Sequence, residues 1–186
     1  SDLKRFKIFP GQDVEEVLNS FEDETPNPRP VEFDSNTISG YPISVHISTR
    51  DAKNIKSAKV ELINSRGEPI PVWLSYPGKP AVTEDRIPWE IYPEPKGTKW
   101  IVDNYLRNNN MVLILPQPVL QLGEKYAVSV VLNFLDDEEV KLNWNFKTRV
   151  PMTWKVKPDS TALENDFKYV LGAMKDGDTM SLDSGD

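Results

Sequence analysis

The sequence predicts an all-β fold, an antiparallel β-sandwich of about seven strands, and three observations carry that prediction. Tyr126, Val128, Val130, Leu132 and Phe134 share one face of a run, and Val140, Leu142, Trp144 and Phe146 share one face of the next, opposite Lys141, Asn143, Asn145 and Lys147. Strict alternation at period 2 gives each strand one buried and one wet face, and the short link from Leu135 to Glu139 makes the pair a hairpin. Met111 to Leu115 is apolar without a break, as for a strand covered on both sides. Short apolar runs also recur between Gly, Pro, Asn and Asp turns, the spacing of a sandwich.

The elements follow in order. Residues 1–38 read as an extended, proline-bearing linker. Pro26, Pro28 and Pro30 alternate with polar residues and favour an extended path, and Val14 to Leu18 suits a single helical turn. The sandwich occupies 39–150. Ile43, Val45 and Ile47 alternate with Ser44, His46 and Ser48. Val60 and Leu62 alternate with Lys59 and Glu61, and Ser65-Arg66-Gly67-Glu68 supplies a turn. Pro71 to Tyr76 is a third strand. Between Pro77 and Asn109 the pattern fails. Loops of that length are functional or disordered as a rule, and Trp89, Tyr92, Trp100 and Tyr105 argue against disorder. Thr98 to Val102 reads as a short edge strand. Residues 151–186 hold a C-terminal helix and tail that could begin a further domain: Thr161-Ala162-Leu163-Glu164 matches a capping box, and Leu163, Phe167, Val170, Leu171 and Met174 repeat at helical spacing. Met180-Ser181-Leu182 is a short strand-like piece after the Asp176-Gly177-Asp178 turn.

Composition narrows the function. The chain has 186 residues, of which 38% are hydrophobic, enough for one ample domain with flanks. No apolar run approaches the roughly 20 residues of a membrane span. A net charge of −7 argues against nucleic acid, whose binders carry basic patches. Cysteine is absent, which removes disulfides, thiol nucleophiles and cysteine metal sites. That suits a cytosolic protein and equally a secreted bacterial protein that avoids thiols.

Gly40-Tyr41-Pro42-Ile43-Ser44-Val45, the Asn110 to Pro116 segment, Leu120-x-x-Gly123-x-x-Tyr126 and Trp144-x-Phe146-x-Thr148 occur in that order. Together they resemble the Ig-like, fibronectin-like module that accompanies CAP-superfamily domains (cysteine-rich secretory protein, antigen five and pathogenesis-related type) in secreted bacterial proteins. Phe9-Pro10-Gly11-Gln12-Asp13-Val14 and the residues after it resemble the link to such a domain. The resemblance implies an extracellular or cell-wall location, and a role in spacing or presenting neighbouring domains of the same protein. The histidine and glutamate cleft of the CAP domain is not in this chain, so no activity is implied. The stretch ending Asp176-Gly177-Asp178-Thr179-Met180-Ser181-Leu182 is similar to the start of pectate-lyase-like parallel β-helices, which implies a fragment of a polysaccharide-active enzyme.

Catalytic chemistry finds little support. His46 is the sole histidine, and it stands on the polar parity of a strand, far from what a nucleophilic triad requires. Glu22, Asp23 and Glu24, and then Asp136, Asp137, Glu138 and Glu139, read as solvated charge rather than a glycosidase pair. No phosphate loop or EF-hand pattern occurs, and no cofactor, catalytic or metal residue is assigned. Tyr126 and Trp144 read as structural: the first as a tyrosine corner whose hydroxyl bonds the backbone upstream, the second as core. The aromatic loop is the open candidate. Trp89, Tyr92, Trp100 and Tyr105 suit a platform for a polysaccharide or a protein partner, or else a cover packed on the sandwich or on the helix of Phe167. Stiffening by Pro88, Pro93 and Pro95 favours packing. The reading is therefore a non-catalytic accessory module, with a carbohydrate-binding module as its alternative.

Overall fold

A computed structural model of the chain describes residues 5–21, 28–30, 38–48, 54–82, 97–156, 170, 174–175 and 177–182. The chain divides into two units, Ser1–Thr148 and Arg149–Asp186.

The first unit is a sandwich of two four-stranded sheets. One sheet has the order β1 (Phe6–Phe9), β3 (Ile43–Ile47), β6 (Met111–Pro116), β5 (Val72–Ser75). The other has the order β2 (Val14–Val17), β8 (Glu139–Thr148), β7 (Lys125–Phe134), β4 (Ile55–Asn64). Pairing within both sheets is antiparallel except between β2 and β8, which is parallel. The all-β sandwich expected from the alternating runs is thus present. Its inward residues make one core in which Ile43, Val45, Val112, Ile114, Leu62, Val130, Leu132, Phe134 and Phe146 are almost wholly excluded from water. Each such aliphatic or aromatic side chain contributes about 1.5–3 kcal/mol by leaving water.

A second, smaller cluster lies on the outer face of the first sheet. Met111 and Leu113 have the opposite parity to Val112 and Ile114, and they pack with Val82 and with Val102 and Leu106 of a helix, α1 (Thr98–Asn108). The run from Met111 to Leu115 is apolar throughout because a sheet covers one side and a helix the other.

That helix corrects the short edge strand expected at Thr98 to Val102. The β-branched residues Thr98, Ile101 and Val102 suggest a strand, but Val102 and Leu106 stand four apart and reach the same outer face of β6 only as a helix. Val14 to Val17 differs as well. The expected helical turn is a strand, because β8 offers an open edge beyond Val14↔Phe146 and Val17↔Thr148, and backbone groups at an edge are satisfied by pairing. Phe6–Phe9 and Val14–Val17, both within the stretch read as linker, therefore each contribute a strand to one of the sheets.

The tip of the β7–β8 hairpin is more than solvated charge. Glu138 takes a two-pronged ion pair from Arg5 at 2.7 and 2.9 Å, and the Arg5 guanidinium lies over the rings of Phe6 and Phe134 at 5.3 and 5.1 Å. Asp137 accepts from Lys56 at 3.0 Å.

In the second unit, β9 (Thr153–Val156) and β10 (Thr179–Leu182) pair in parallel. The helix read across Leu163, Phe167 and Leu171 lies outside the described residues apart from Val170 and Met174. Val170 is helical and buried, and its carbonyl accepts the Met174 N–H at 2.9 Å, an i to i+4 bond.

Candidate functional site

The outer face of the second sheet is an open array whose layout follows from register. Ala127, Ser129 and Val131 of β7 point away from the core, since Val128, Val130 and Leu132 point into it. Opposite them on β8 stand Asn145, Asn143 and Lys141, and on β4 stand Ile63, Glu61 and Lys59. The three cross-strand rows are Asn145–Ala127–Ile63, Asn143–Ser129–Glu61 and Lys141–Val131–Lys59. Small side chains in the middle strand and longer ones on both flanks make a groove that runs along β7. The Asp13 N–H donates to the Asn145 carbonyl at 2.7 Å, which brings the preceding Gln12 to the β8 side of the groove. A cavity of about 350 Å³ lies among Gln12, Glu61, Ile63, Ser129, Asn143 and Asn145.

Asn143, Glu61, Lys59 and Lys141 are exposed, and Asn145 and Ser129 are half-buried. None of these side chains hydrogen-bonds or ion-pairs with another among the described residues. Each asparagine amide keeps two donors and an acceptor oxygen, and its backbone is held by the pairing of β8 with β7. The groove therefore presents fixed, two-way hydrogen-bonding groups over an apolar floor. The side chains that line it offer amides, a hydroxyl and a carboxylate.

The residues singled out in the sequence are placed elsewhere. The Tyr126 hydroxyl accepts the Gln121 N–H at 2.8 Å, and its ring stacks on Phe146 at 5.5 Å. Burial pushes the phenol pKa up. Thr148 closes the same corner: its hydroxyl accepts the Glu124 N–H at 3.0 Å and donates to the Gln121 carbonyl at 2.5 Å. Trp144 is buried in the core, and its indole N–H meets no acceptor among the described residues.

Trp89 and Tyr92 lie outside the described residues. Trp100 and Tyr105 stand on α1, 47% and 57% exposed. Five positions apart on a helix, they point about 140° from each other, so these two rings do not share a face. His46 is half-buried, between Lys7 and Met111 in register, and its ring Nε2 lies 3.1 Å from the Ser44 hydroxyl. Burial, and then the Lys7 ammonium, push its pKa below the usual histidine value. No group of three His, Cys, Asp or Glu side chains that could hold a metal ion occurs among the described residues.

Asp178 organises the second unit. Its side chain is 2% exposed and pairs with the buried Arg149 at 2.8 Å. It also accepts the N–H groups of Met152 at 2.8 Å and Lys175 at 3.0 Å, and the Trp154 indole N–H at 3.1 Å. Burial pushes its carboxyl up, but these four donors outweigh burial and hold it well below the usual carboxylate range.

No family model matches the chain, and no curated protein matches it. Solved structures of similar fold include CopC from Methylosinus trichosporium OB3b, at 12% identity and a TM-score of 0.40, covering 77% of this chain and 90% of that one. Another is PcoC, a copper resistance protein from Escherichia coli, at 15% identity and a TM-score of 0.38, covering 77% and 96%. The likeness is one of fold. These neighbours overturn the resemblance to CAP-associated Ig-like modules and to the start of parallel β-helices. The physical reason lies in the motifs: a tyrosine corner and alternating strands recur wherever a chain crosses between packed sheets, so they report a sandwich and not one family of sandwiches.

The groove residues were missed as a site. Lys141, Asn143, Asn145 and Lys147 are legible as the wet face of one strand. Only the register with Ala127, Ser129, Glu61 and Ile63 makes that face a groove. The available signal was the pair of small residues at the outward positions of β7, which leave room beneath longer neighbours.

Proposed function

We propose that this chain is a non-catalytic binding module, whose working surface is the groove on the second sheet and whose ligand is a linear polysaccharide. One observation carries the reading: Gln12, Ser129, Asn143, Asn145 and Glu61 surround a single cavity with no side-chain partners among the described residues. Amides and hydroxyls on a rigid sheet can donate to and accept from sugar hydroxyls, and Ile63 and Ala127 offer the apolar contact that a sugar C–H face needs. Such a module would hold or present neighbouring domains of an extracellular or cell-surface protein against a glycan. The test is a glycan array probed with the whole chain and with Asn143→Ala/Asn145→Ala. Binding of a linear glycan by the parent and its loss in the variant support the reading. An array blank for both would end it.

A second reading places the ligand on the aromatic segment containing Trp89, Tyr92, Trp100 and Tyr105. The exposure of Trp100 and Tyr105 favours it, and their divergence around α1 weighs against a flat platform. Retained glycan binding in the double asparagine variant, lost in Trp100→Ala, would transfer the site there.

A further inference from the structure

The chain carries a net charge of −7, yet one end of the groove is cationic. In the third row Lys141 and Lys59 flank Val131 from the two neighbouring strands. Neighbouring strands lie about 4.8 Å apart, so the two lysine stems stand about 10 Å from each other with a half-buried apolar residue between them. Neither ammonium forms an ion pair among the described residues, and no carboxylate shares their row. Glu61 stands one row inward, next to Ser129, and Glu139 one row outward, next to Asn133. Two flexible ammonium groups whose strands lie about 10 Å apart can both donate to one carboxylate held between them.

We infer that the groove takes an acidic linear polysaccharide, with a uronate carboxylate seated over Val131 between Lys59 and Lys141 and the following sugars lying along β7 over Ser129 and Ala127. This rests on the reading of the groove as a glycan site, and it names the class of glycan. Two features favour a sugar chain over an acidic peptide. The groove runs along β7, whose two edges are both paired, with β4 and with β8, so an extended peptide lying over Ser129 and Ala127 would find no strand edge to bond. Its own N–H and C=O groups would have to be met by side chains alone. Sugar hydroxyls, in contrast, match the amides of Asn143 and Asn145 and the carboxylate of Glu61, which accepts two or more of them. The ammonium groups supply the selection: a charged partner strengthens a hydrogen bond roughly twofold over a neutral one.

The test compares two pentasaccharides of one backbone by titration calorimetry on the whole chain at low salt. One is β-1,4-linked mannuronate, and the other is β-1,4-linked mannose, which differs by having a hydroxymethyl group in place of each carboxylate. The mannuronate should bind about tenfold or more tightly than the mannose. Lys59→Gln/Lys141→Gln should erase that preference while leaving mannose binding in place. Raising salt to 0.5 M should weaken the acidic ligand alone. Both lysines are exposed, so the variant should keep the parent's melting temperature and circular dichroism. Equal affinity for the two sugars overturns the acidic assignment and leaves the glycan reading intact. Binding of neither sugar overturns both. Equal binding of poly-glutamate, unaffected by Asn143→Ala, reduces the site to unspecific charge attraction and overturns the inference as well.

Discussion

A single carboxylate fixes the geometry of the second unit. Asp178 gathers Arg149, Trp154 and the backbone N–H groups of Met152 and Lys175, which ties the start of β9 to the turn before β10. Removing one partner of a buried pair leaves the other charge uncompensated, so Asp178→Asn should destabilise this unit by about 3–5 kcal/mol. Its pH dependence has a definite sign. The folded pKa is depressed below an unfolded value of about 3.9. The stabilisation is therefore complete above about pH 4 and is lost as pH falls from there through the folded value. The indole N–H resonance of Trp154 should hold its native position at pH 6 and lose it under acid. In Asp178→Asn it should be displaced at every pH. A wild-type resonance that tracked the variant's across this window would refute the role. Nothing in the residue order reveals this pairing: Asp176-Gly177-Asp178 reads as a turn, and Arg149 lies 29 positions away.

At the scale of elements, α1 is where local preference and tertiary demand disagree. Its stretch contains Thr98, Ile101 and Val102, which favour strands, and its first turn has no acidic residue and no side-chain cap. Its helical state comes from burying Val102 and Leu106 against Met111 and Leu113, in line with the rule that packing outweighs intrinsic propensity. Leu106 has no exposed surface. Leu106→Ala should therefore cost about 2–5 kcal/mol, read by urea denaturation, with the strand signal in circular dichroism retained under native conditions. A cost below about 1 kcal/mol would mean that the helix is not needed to cover the sheet. The β7–β8 hairpin is the opposite case. Its alternation, its turn and its corner tyrosine all point the same way, and the strand Lys125–Phe134 and its partner Glu139–Thr148 follow the sequence pattern closely.

At the scale of the molecule, among the described residues each sheet of the sandwich is built from strands of Ser1–Thr148, and β9 and β10 pair within Arg149–Asp186. A 1–148 fragment should therefore fold alone and unfold in one cooperative step. Calorimetry on the fragment should give one transition whose calorimetric and van't Hoff enthalpies agree; a broad or absent transition would mean that residues 149–186 complete the sandwich core. The sequence by itself determined the β class and the inward parity of β3, β7 and β8. These are local properties, since a period-2 pattern states which side of a strand is wet without naming its neighbour. Only the tertiary structure decided which wet faces adjoin. Asn143 and Glu61 are 82 positions apart in the chain and two strands apart in space, and the groove exists because register sets Ser129 between them. The same holds for the helix at Thr98–Asn108 and the strand at Val14–Val17. Each takes the state that its neighbour requires, because an open sheet face must be covered and an open strand edge must be paired.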